Sequence, residues 1–377
     1  MKILHVNCNY LTTVLHQTMI EHLDQKNVES TVFAPTDALK KAVIVPNENV
    51  CARECFRSFD RFLFHVKQRK IRKVLEQEIR VREFDCIHAY TVFTDGYCAM
   101  KLSQKYKIPY VVAVRSTDLN VFFRYMRHLK GVGIEVLRNA SAVLFLSDSY
   151  RKQLLEQYVP EKQRKEILEK SYVIGNGIDD YWFEHSQVPD LKTHLDRIAA
   201  KQLKVVYAGR INANKNPLTT LKALHLLEKQ GITPSFTVVG KVEDTGVFET
   251  LNRDKMVTYI AQQPKESLRC IYREQDVFVM PSYQETFGLV YAEAMSQGLP
   301  VLYTKGQGFD GQVPDGQGGY GIIPDDPQDI AKKILQICNH YEKFAENAFR
   351  SVEKFRWNRI CEQYVRLYKE VCGKNKG

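Results

Sequence analysis

The chain has 377 residues, 44% of them apolar and 26% charged, and 54 Lys and Arg against 44 Asp and Glu give a net charge of +10. That length is too great for one comfortable core and implies two domains, each burying its own. No apolar run approaches the ~20 residues a membrane-spanning helix needs, and 1-MKILHVNCNY-10 enters a strand without the basic-then-apolar pattern of a signal peptide. The nine cysteines are scattered and odd in number. Cys51 and Cys55 form the closest pair, with no second pair at zinc-ligand spacing, so reduced thiols in a cytosol are expected. Asn139-Ala140-Ser141 matches a glycosylation sequon, which without a secretion signal is read as chance.

In the first half, 2-KILHVN-7, 30-STVFA-34, 85-DCIHAY-90, 110-YVVAV-114, 142-AVLFL-146 and 171-SYVIG-175 read as strands, with helical stretches between most of them. Between Arg53 and Arg82 lie ten Lys or Arg against four acids, interleaved with Phe56, Phe59, Phe62, Leu63, Phe64 and Val66. Read as a helix, this segment either lies on an anionic lipid surface or packs its aromatics on its own sheet with the cations solvated. Nucleic acid is not expected, because no recognised binding motif is present. His88, alone in 85-DCIHAYTVFTDG-96, has a structural reading as a histidine bonded to backbone. A boundary falls near residues 178–200, where 184-EHSQVPDLKTH-194 loses apolar periodicity. Domains of 1–185 and 186–356 follow.

In the second half the runs 203-LKVVYAG-209, 235-SFTVVG-240, 256-MVTYI-260, 276-DVFVM-280, 300-PVLYT-304 and 320-YGIIP-324 repeat the pattern. Strands alternating with helices predict two parallel sheets, each doubly wound. After the first run come Gly209 and Arg210, a polar turn with Lys215, then a helix from about Asn216 with Pro217 at a favoured first-turn position. Arg210 and Lys215 are thus expected beside each other at the carboxyl end of a strand, where open α/β sheets bind ligands. Two cations there suit a diphosphate; solvated loop residues are the plainer reading. In 281-PSYQETFGLVYAEAMSQGLP-300 a loop opens a short helix that stops at Gly298 and Pro300. Thr286, Phe287, Gly288 and Leu289 fall at its N-terminus, which attracts anions, and Gly288 lets a ligand approach the backbone. Glu293, a turn further in, leans back toward that point, and a carboxylate suits a pair of sugar hydroxyls. The pattern 306–311 fits G-x-G-x-x-G, yet Pro314, Gly316, Gly318 and Gly319 follow, so it reads as a loop near a donor sugar rather than a dinucleotide fingerprint.

Gly209-Arg210 with Lys215, then Glu285 and Glu293 in an E-x-F-G-L-x-x-x-E-A frame, resemble the retaining GT-B enzymes of glycosyltransferase family 4. The stretch 173-VIGNGIDDYWF-183 is similar to the family's interdomain link, and 357-WNRICEQYVRLYKEV-371 to its tryptophan-led closing helix. The resemblance covers essentially the whole chain. It implies two Rossmann-like domains facing a cleft, with 357–377 crossing back onto the first. It places Gly209, Gly240 and Lys241 of 236-FTVVGK-241, together with residues 286–290 (Val290 included), at the donor, Glu293 on the ribose and Glu285 on the transferred sugar. The donor implied is a nucleoside-diphosphate sugar, with UDP the expected nucleotide. The acceptor implied is a glycan, a glycolipid or a small molecule, in surface-polysaccharide synthesis at the cytoplasmic side of a membrane.

The first domain is expected to hold the acceptor, with His88, Arg115 and Asp118 as candidates. It departs from the family pattern in 8-CNYLTTVLHQT-18, which has no glycine, and in 110-YVVAVRSTDLN-120, where Arg115 replaces a histidine and Asp118 is kept. An arginine stays charged and is no base at neutral pH; it is read either as a ligand for phosphate or donor hydroxyls or as a salt-bridged strand end. No Asp-x-Asp pair stands at a strand end to hold a metal, so no metal or cofactor is expected. Arg210, Lys215 and the N–H groups of residues 288–290 would neutralise the departing diphosphate. A GT-B epimerase or phosphorylase, or a nucleotide-sugar-binding protein without turnover, is the alternative. The oligomeric state is left open.

Overall fold

The structure, a computed structural model, describes residues 1–39, 42–44, 48–187 and 190–373. It divides into two compact units, Met1–Gly175 with Trp357–Gly377, and Asn176–Arg356. The boundary expected from sequence lay at residue 185; the units part at residue 175. Residues just past that point belong to the second unit because Ile178 bridges Arg356, its N–H bonds the Phe355 carbonyl, and Trp182 packs beside Tyr272. The loss of periodicity at 184–194 spans the end of one short helix, Tyr181–Glu184, and the start of the next, Leu191–Ala199; Val188 and Pro189 between them lie outside the described residues.

The first unit carries seven strands: β1 (Lys2–Val6), β2 (Glu29–Thr36), β3 (Val50–Glu54), β4 (Cys86–Ala89), β5 (Tyr110–Val114), β6 (Ala142–Phe145) and β7 (Ser171–Val173). All pairings are parallel, in the order β3-β2-β1-β4-β5-β6-β7. Inner strands of such a sheet are covered on both faces and read as unbroken apolar runs; all five residues of β5 are buried. Helices Val14–Asp24 and Trp357–Gly373 cover one face through Leu23, Tyr364 and Leu367. Helices Phe64–Glu78, Tyr97–Tyr106 and Lys130–Asn139 cover the other through Leu75, Ala99 and Leu137. The Trp357–Gly373 helix buries residues 357, 360, 361, 364, 367, 368 and 371, an apolar stripe at helical period.

The basic segment differs from its expectation. Residues 53–82 are not one helix: the segment begins as edge strand β3, makes a 3-10 turn over Ser58–Phe62, and is α-helical only from Phe64 to Glu78. Strand β3 went unrecognised because 50-VCARE-54 alternates and buries only Val50 and Ala52, as an edge strand does.

In the second unit each of the six expected runs forms a strand: β8 (Gln202–Ala208), β9 (Thr233–Val239), β10 (Val257–Ile260), β11 (Val277–Val279), β12 (Val301–Thr304) and β13 (Gly319–Ile322). They pair in parallel as β10-β9-β8-β11-β12-β13. Strand order therefore reverses between β1 and β4 in one sheet and between β8 and β11 in the other, and such reversals open a crevice at the carboxyl ends of the strands. Among the described residues no helix is long and apolar enough to cross a membrane.

Candidate functional site

In the second unit the loops after β8 and β11 meet at the reversal point. Gly209 leaves β8 with its N–H on the Val239 carbonyl at 2.9 Å, and Ile211 N–H bonds the Lys241 carbonyl at 2.9 Å. Gly240 has φ +150°, and a Cβ there would lie 1.8 Å from the Gly209 oxygen. Gly240 is thus required by the mutual approach of two strand ends, whatever ligand lies above it, whereas a Cβ at Gly209 would meet only the Met280 and Tyr207 side chains, at 3.4 Å. Lys241 is exposed. Asn214 then staples the two loops: its carbonyl accepts Tyr283 N–H at 2.8 Å, its Nδ2 donates to the Gln284 carbonyl, and its Oδ1 accepts Gln284 N–H, both at 3.1 Å.

The staple brings Lys215 to Glu285. Lys215 Nζ donates to Glu285 Oε2 at 2.5 Å, between side chains only 13% and 12% exposed. Beneath them, Glu285 N–H bonds Gln307 Oε1 at 3.0 Å and its carbonyl accepts Gly308 N–H at 3.0 Å. The glycine-rich loop therefore rests on residues 285–287, and a Cβ at Gly308 would come within 2.1 Å of the Thr286 oxygen. Thr286 is exposed, Phe287 is buried against Phe309 and Phe355, and Leu289 and Val290 are half-buried at the start of helix Leu289–Met295. Gly288 caps that helix at φ +82°, where a Cβ would meet the Tyr291 ring at 2.5 Å.

Arg210 departs from the expected side-by-side placement with Lys215. Its side chain is 64% exposed and reaches Glu243 at 3.4 Å, while Lys215 turns to Glu285. The Asn212 amide, at 2.8 Å, and then Arg210 hold the Glu243 carboxyl below its usual range. Glu293 is half-buried; desolvation, with the like charge of Asp179 adding to it, pushes its carboxyl up to about 7.

The first unit has a cavity of about 480 Å³ at the carboxyl ends of β1 and β4, lined by Cys8, Asn9, Thr91, Thr94 and Asp118 among others. Asp118 accepts Arg115 N–H at 2.9 Å and Val92 N–H at 3.2 Å, and burial pushes its carboxyl up to about 6. Asp95 accepts Cys8 N–H at 3.1 Å and Thr91 Oγ1 at 3.0 Å, and burial pushes it up to about 7. Lys67 Nζ lies 3.4 Å from Thr94 Oγ1 and 4.5 Å above the Phe56 ring. Arg115 donates from Nε to the Tyr90 carbonyl at 3.2 Å, so a backbone contact replaces the salt bridge weighed from sequence.

His88 does not join this site. It is fully buried in β4, with Nδ1 2.6 Å from Tyr368 Oη and its ring stacked on Tyr90 at 4.3 Å, and burial holds its pKa well below the usual value. A side chain sealed beneath the closing helix cannot contact an acceptor. Sequence reasoning also missed Asn214, Glu243, Asp95 and Lys67. Only Asp95 carried a signal, as an acid soon after a strand. Among the described residues no group of three or more His, Cys, Asp or Glu converges as a metal site requires.

Two family models match: Glycosyltransferase Family 4 over residues 13–181 and Glycosyl transferases group 1 over residues 194–351. The chain belongs to these GT-B glycosyltransferases. It is 24% identical over 376 residues to a D-inositol 3-phosphate glycosyltransferase of Paenarthrobacter aurescens, covering 93% of this chain and 90% of that one. It is 28% identical over 184 residues to the enzyme of the same name from Corynebacterium kroppenstedtii, a match spanning 45% of this chain and 41% of that relative. The fold superposes on sucrose-phosphate synthase from Thermosynechococcus elongatus with a TM-score of 0.76 at 18% identity, covering 99% of both chains. Anabaena HepE, solved in complex with UDP, gives a TM-score of 0.73 at 19% identity over 98% of this chain and 100% of that one.

Proposed function

We propose that this glycosyltransferase takes a hexosyl group from a nucleoside-diphosphate sugar with retention of configuration, and that it needs neither metal nor cofactor. The observation that carries the reading is the Lys215–Glu285 pair, held at the strand-order reversal of the second sheet by the Asn214 staple. An ammonium has three donors, so the one given to Glu285 leaves capacity for the oxygens of a departing diphosphate. Arg210, exposed and bonded only at 3.4 Å to Glu243, turns to the same oxygens when the donor binds. Fixed cations aimed at a developing negative charge supply what a metal would. Glu285 accepts from hydroxyls of the transferred sugar and Glu293 from those of the ribose. UDP is the proposed nucleotide, supported by the HepE complex named above, and a surface glycan or glycolipid is the proposed acceptor.

In the transfer, the bond from the sugar C1 to the diphosphate oxygen breaks and a bond from C1 to the acceptor oxygen forms on the same face. The acceptor proton passes to the leaving phosphate oxygen, so no enzyme carboxylate bonds to the sugar. The test is to incubate the protein with a panel of sugar nucleotides in EDTA and measure nucleotide release with and without candidate acceptors. Release undiminished by EDTA is expected. Abolition by EDTA with rescue by Mg²⁺ or Mn²⁺ would refute the metal-free reading, and neither binding nor release of any nucleotide would refute the donor site itself.

A further inference from the structure

The exposed apolar side chains of this chain are unevenly spread. Among the described residues thirteen large apolar side chains are exposed, and six of them, Phe59, Phe62, Leu63, Val66, Val121 and Tyr125, belong to two of the segments that line the first unit's cavity. Phe62 is 84% and Phe59 and Tyr125 are each 69% exposed, far beyond what a surface ring gains from packing. The interleaving is residue by residue. Phe64, Lys67, Phe122 and Met126 line the cavity, while their chain neighbours Leu63, Val66, Val121 and Tyr125 face outward. The cavity wall and the apolar rim are two sides of the same turns.

Charge on these two segments is predominantly positive. Residues 56–73 and 121–130 contain ten Lys or Arg and a single acid, Asp60, which is itself bonded to Lys70 at 2.7 Å. Arg124 lies over the Tyr125 ring at 5.2 Å. Exposed aromatics set among an excess of cations fit the boundary between headgroups and acyl chains of an anionic bilayer, where rings insert and cations meet lipid phosphates. The lining combines apolar Phe56, Phe64, Phe122 and Met126 with polar Thr91, Thr94 and Asp118.

We infer that the first unit docks on an anionic lipid surface through Phe59, Phe62 and the cations around them, and that its cavity takes the hydroxylated headgroup of a membrane-borne amphiphile as acceptor. The acceptor half of this inference rests on the glycosyltransfer reading above; the docking half does not. The hydroxyls meet the polar floor at Asp118 and Thr94, and the first carbons of the tail lie along Phe64, Phe122 and Met126.

The test uses the full chain, vesicles of phosphatidylcholine with and without phosphatidylglycerol, and UDP binding measured in parallel. Wild-type protein is expected to sediment with the anionic vesicles only, and less at high salt. Phe59→Ser/Phe62→Ser is expected to weaken that binding on the order of tenfold or more with UDP affinity unchanged. In a second arm, octyl glucoside below its micelle concentration should stimulate nucleotide release from a sugar nucleotide and glucose should not. Equal sedimentation with both vesicle types, unchanged vesicle binding by the double variant, or equal stimulation by glucose overturns the inference. If UDP binds normally while vesicles do not, the docking fails and the donor site stands; if vesicles bind and UDP does not, the glycosyltransfer reading fails instead.

Discussion

Lys215→Ala is expected to lower turnover with a sugar nucleotide on the order of 10²-fold or more, the usual cost of removing a preorganised contact to developing charge. The substitution removes the cation at the reversal point, and it also breaks the ion pair of Glu285, whose side chain is 12% exposed. Losing one member of a buried pair costs roughly 3–5 kcal/mol, so a fall in stability accompanies the fall in rate. Lys215→Met/Glu285→Gln separates the two effects. It removes both charges, is expected to recover most of the lost melting temperature, and should remain as slow as the single variant. Steady-state kinetics and thermal melts of the three proteins decide it. Wild-type turnover in Lys215→Ala would mean that this pair is a structural contact and that the phosphate site lies elsewhere.

The second large effect is on pH. With its carboxyl pushed up to about 7 by burial and by Asp179, Glu293 of the free protein is half protonated near neutrality. Hydroxyls bond best to the ionised form, so ribose binding lowers this pKa and affinity rises with pH. A carboxyl at about 7 that must ionise to bind predicts a roughly tenfold gain in affinity between about pH 6 and about pH 8. Uridine is the ligand of choice, because the terminal phosphate of UDP titrates in the same window. Glu293→Gln should bind more weakly and show a flat profile. The stability consequence has the opposite sense. A carboxyl raised above its unfolded value contributes stability that is present below that value and lost as pH rises through the folded pKa. Glu293→Gln should therefore melt higher than wild type at about pH 8, with the two converging near pH 5. An identical affinity slope in both proteins would remove Glu293 from the ribose.

The strands were legible because buried parallel strands carry little except apolar side chains; 110-YVVAV-114 and 203-LKVVYAG-209 have no other reading. Edge strand β3 was not, since half of it faces water and its cations continue into the helix beyond. The segments of the proposed donor site were legible as loops at strand ends with Gly209, Gly288 and two acids, but the particular contacts were not. Nothing local in the sequence says that Lys215 bonds a residue 70 positions away while Arg210 turns to Glu243. Those partners depend on β8 lying next to β11 and on Asn214 tying their loops. His88 illustrates the same limit from the other side: a histidine at a strand end reads equally as a surface or a core residue, and Tyr368, 280 residues on, decides for the core. The aromatic-basic segment splits its aromatics between core and surface. Phe56 and Phe64 pack inward while Phe59 and Phe62 do not, a division set by the turn at Ser58–Phe62 rather than by helical period.

The central claim is transfer with retention from a nucleoside-diphosphate sugar, and the anomeric configuration of the first product tests it most directly. Proton NMR of the sugar released from an α-linked donor, recorded before mutarotation when water is the acceptor or on the purified glycoside when an alcohol is, reports that configuration at C1. An α product is expected, because the acceptor attacks from the side on which Arg210 and Lys215 hold the leaving diphosphate. A β product would mean attack from the opposite face, and the assignment of roles to Arg210, Lys215 and Glu285 would fall with it.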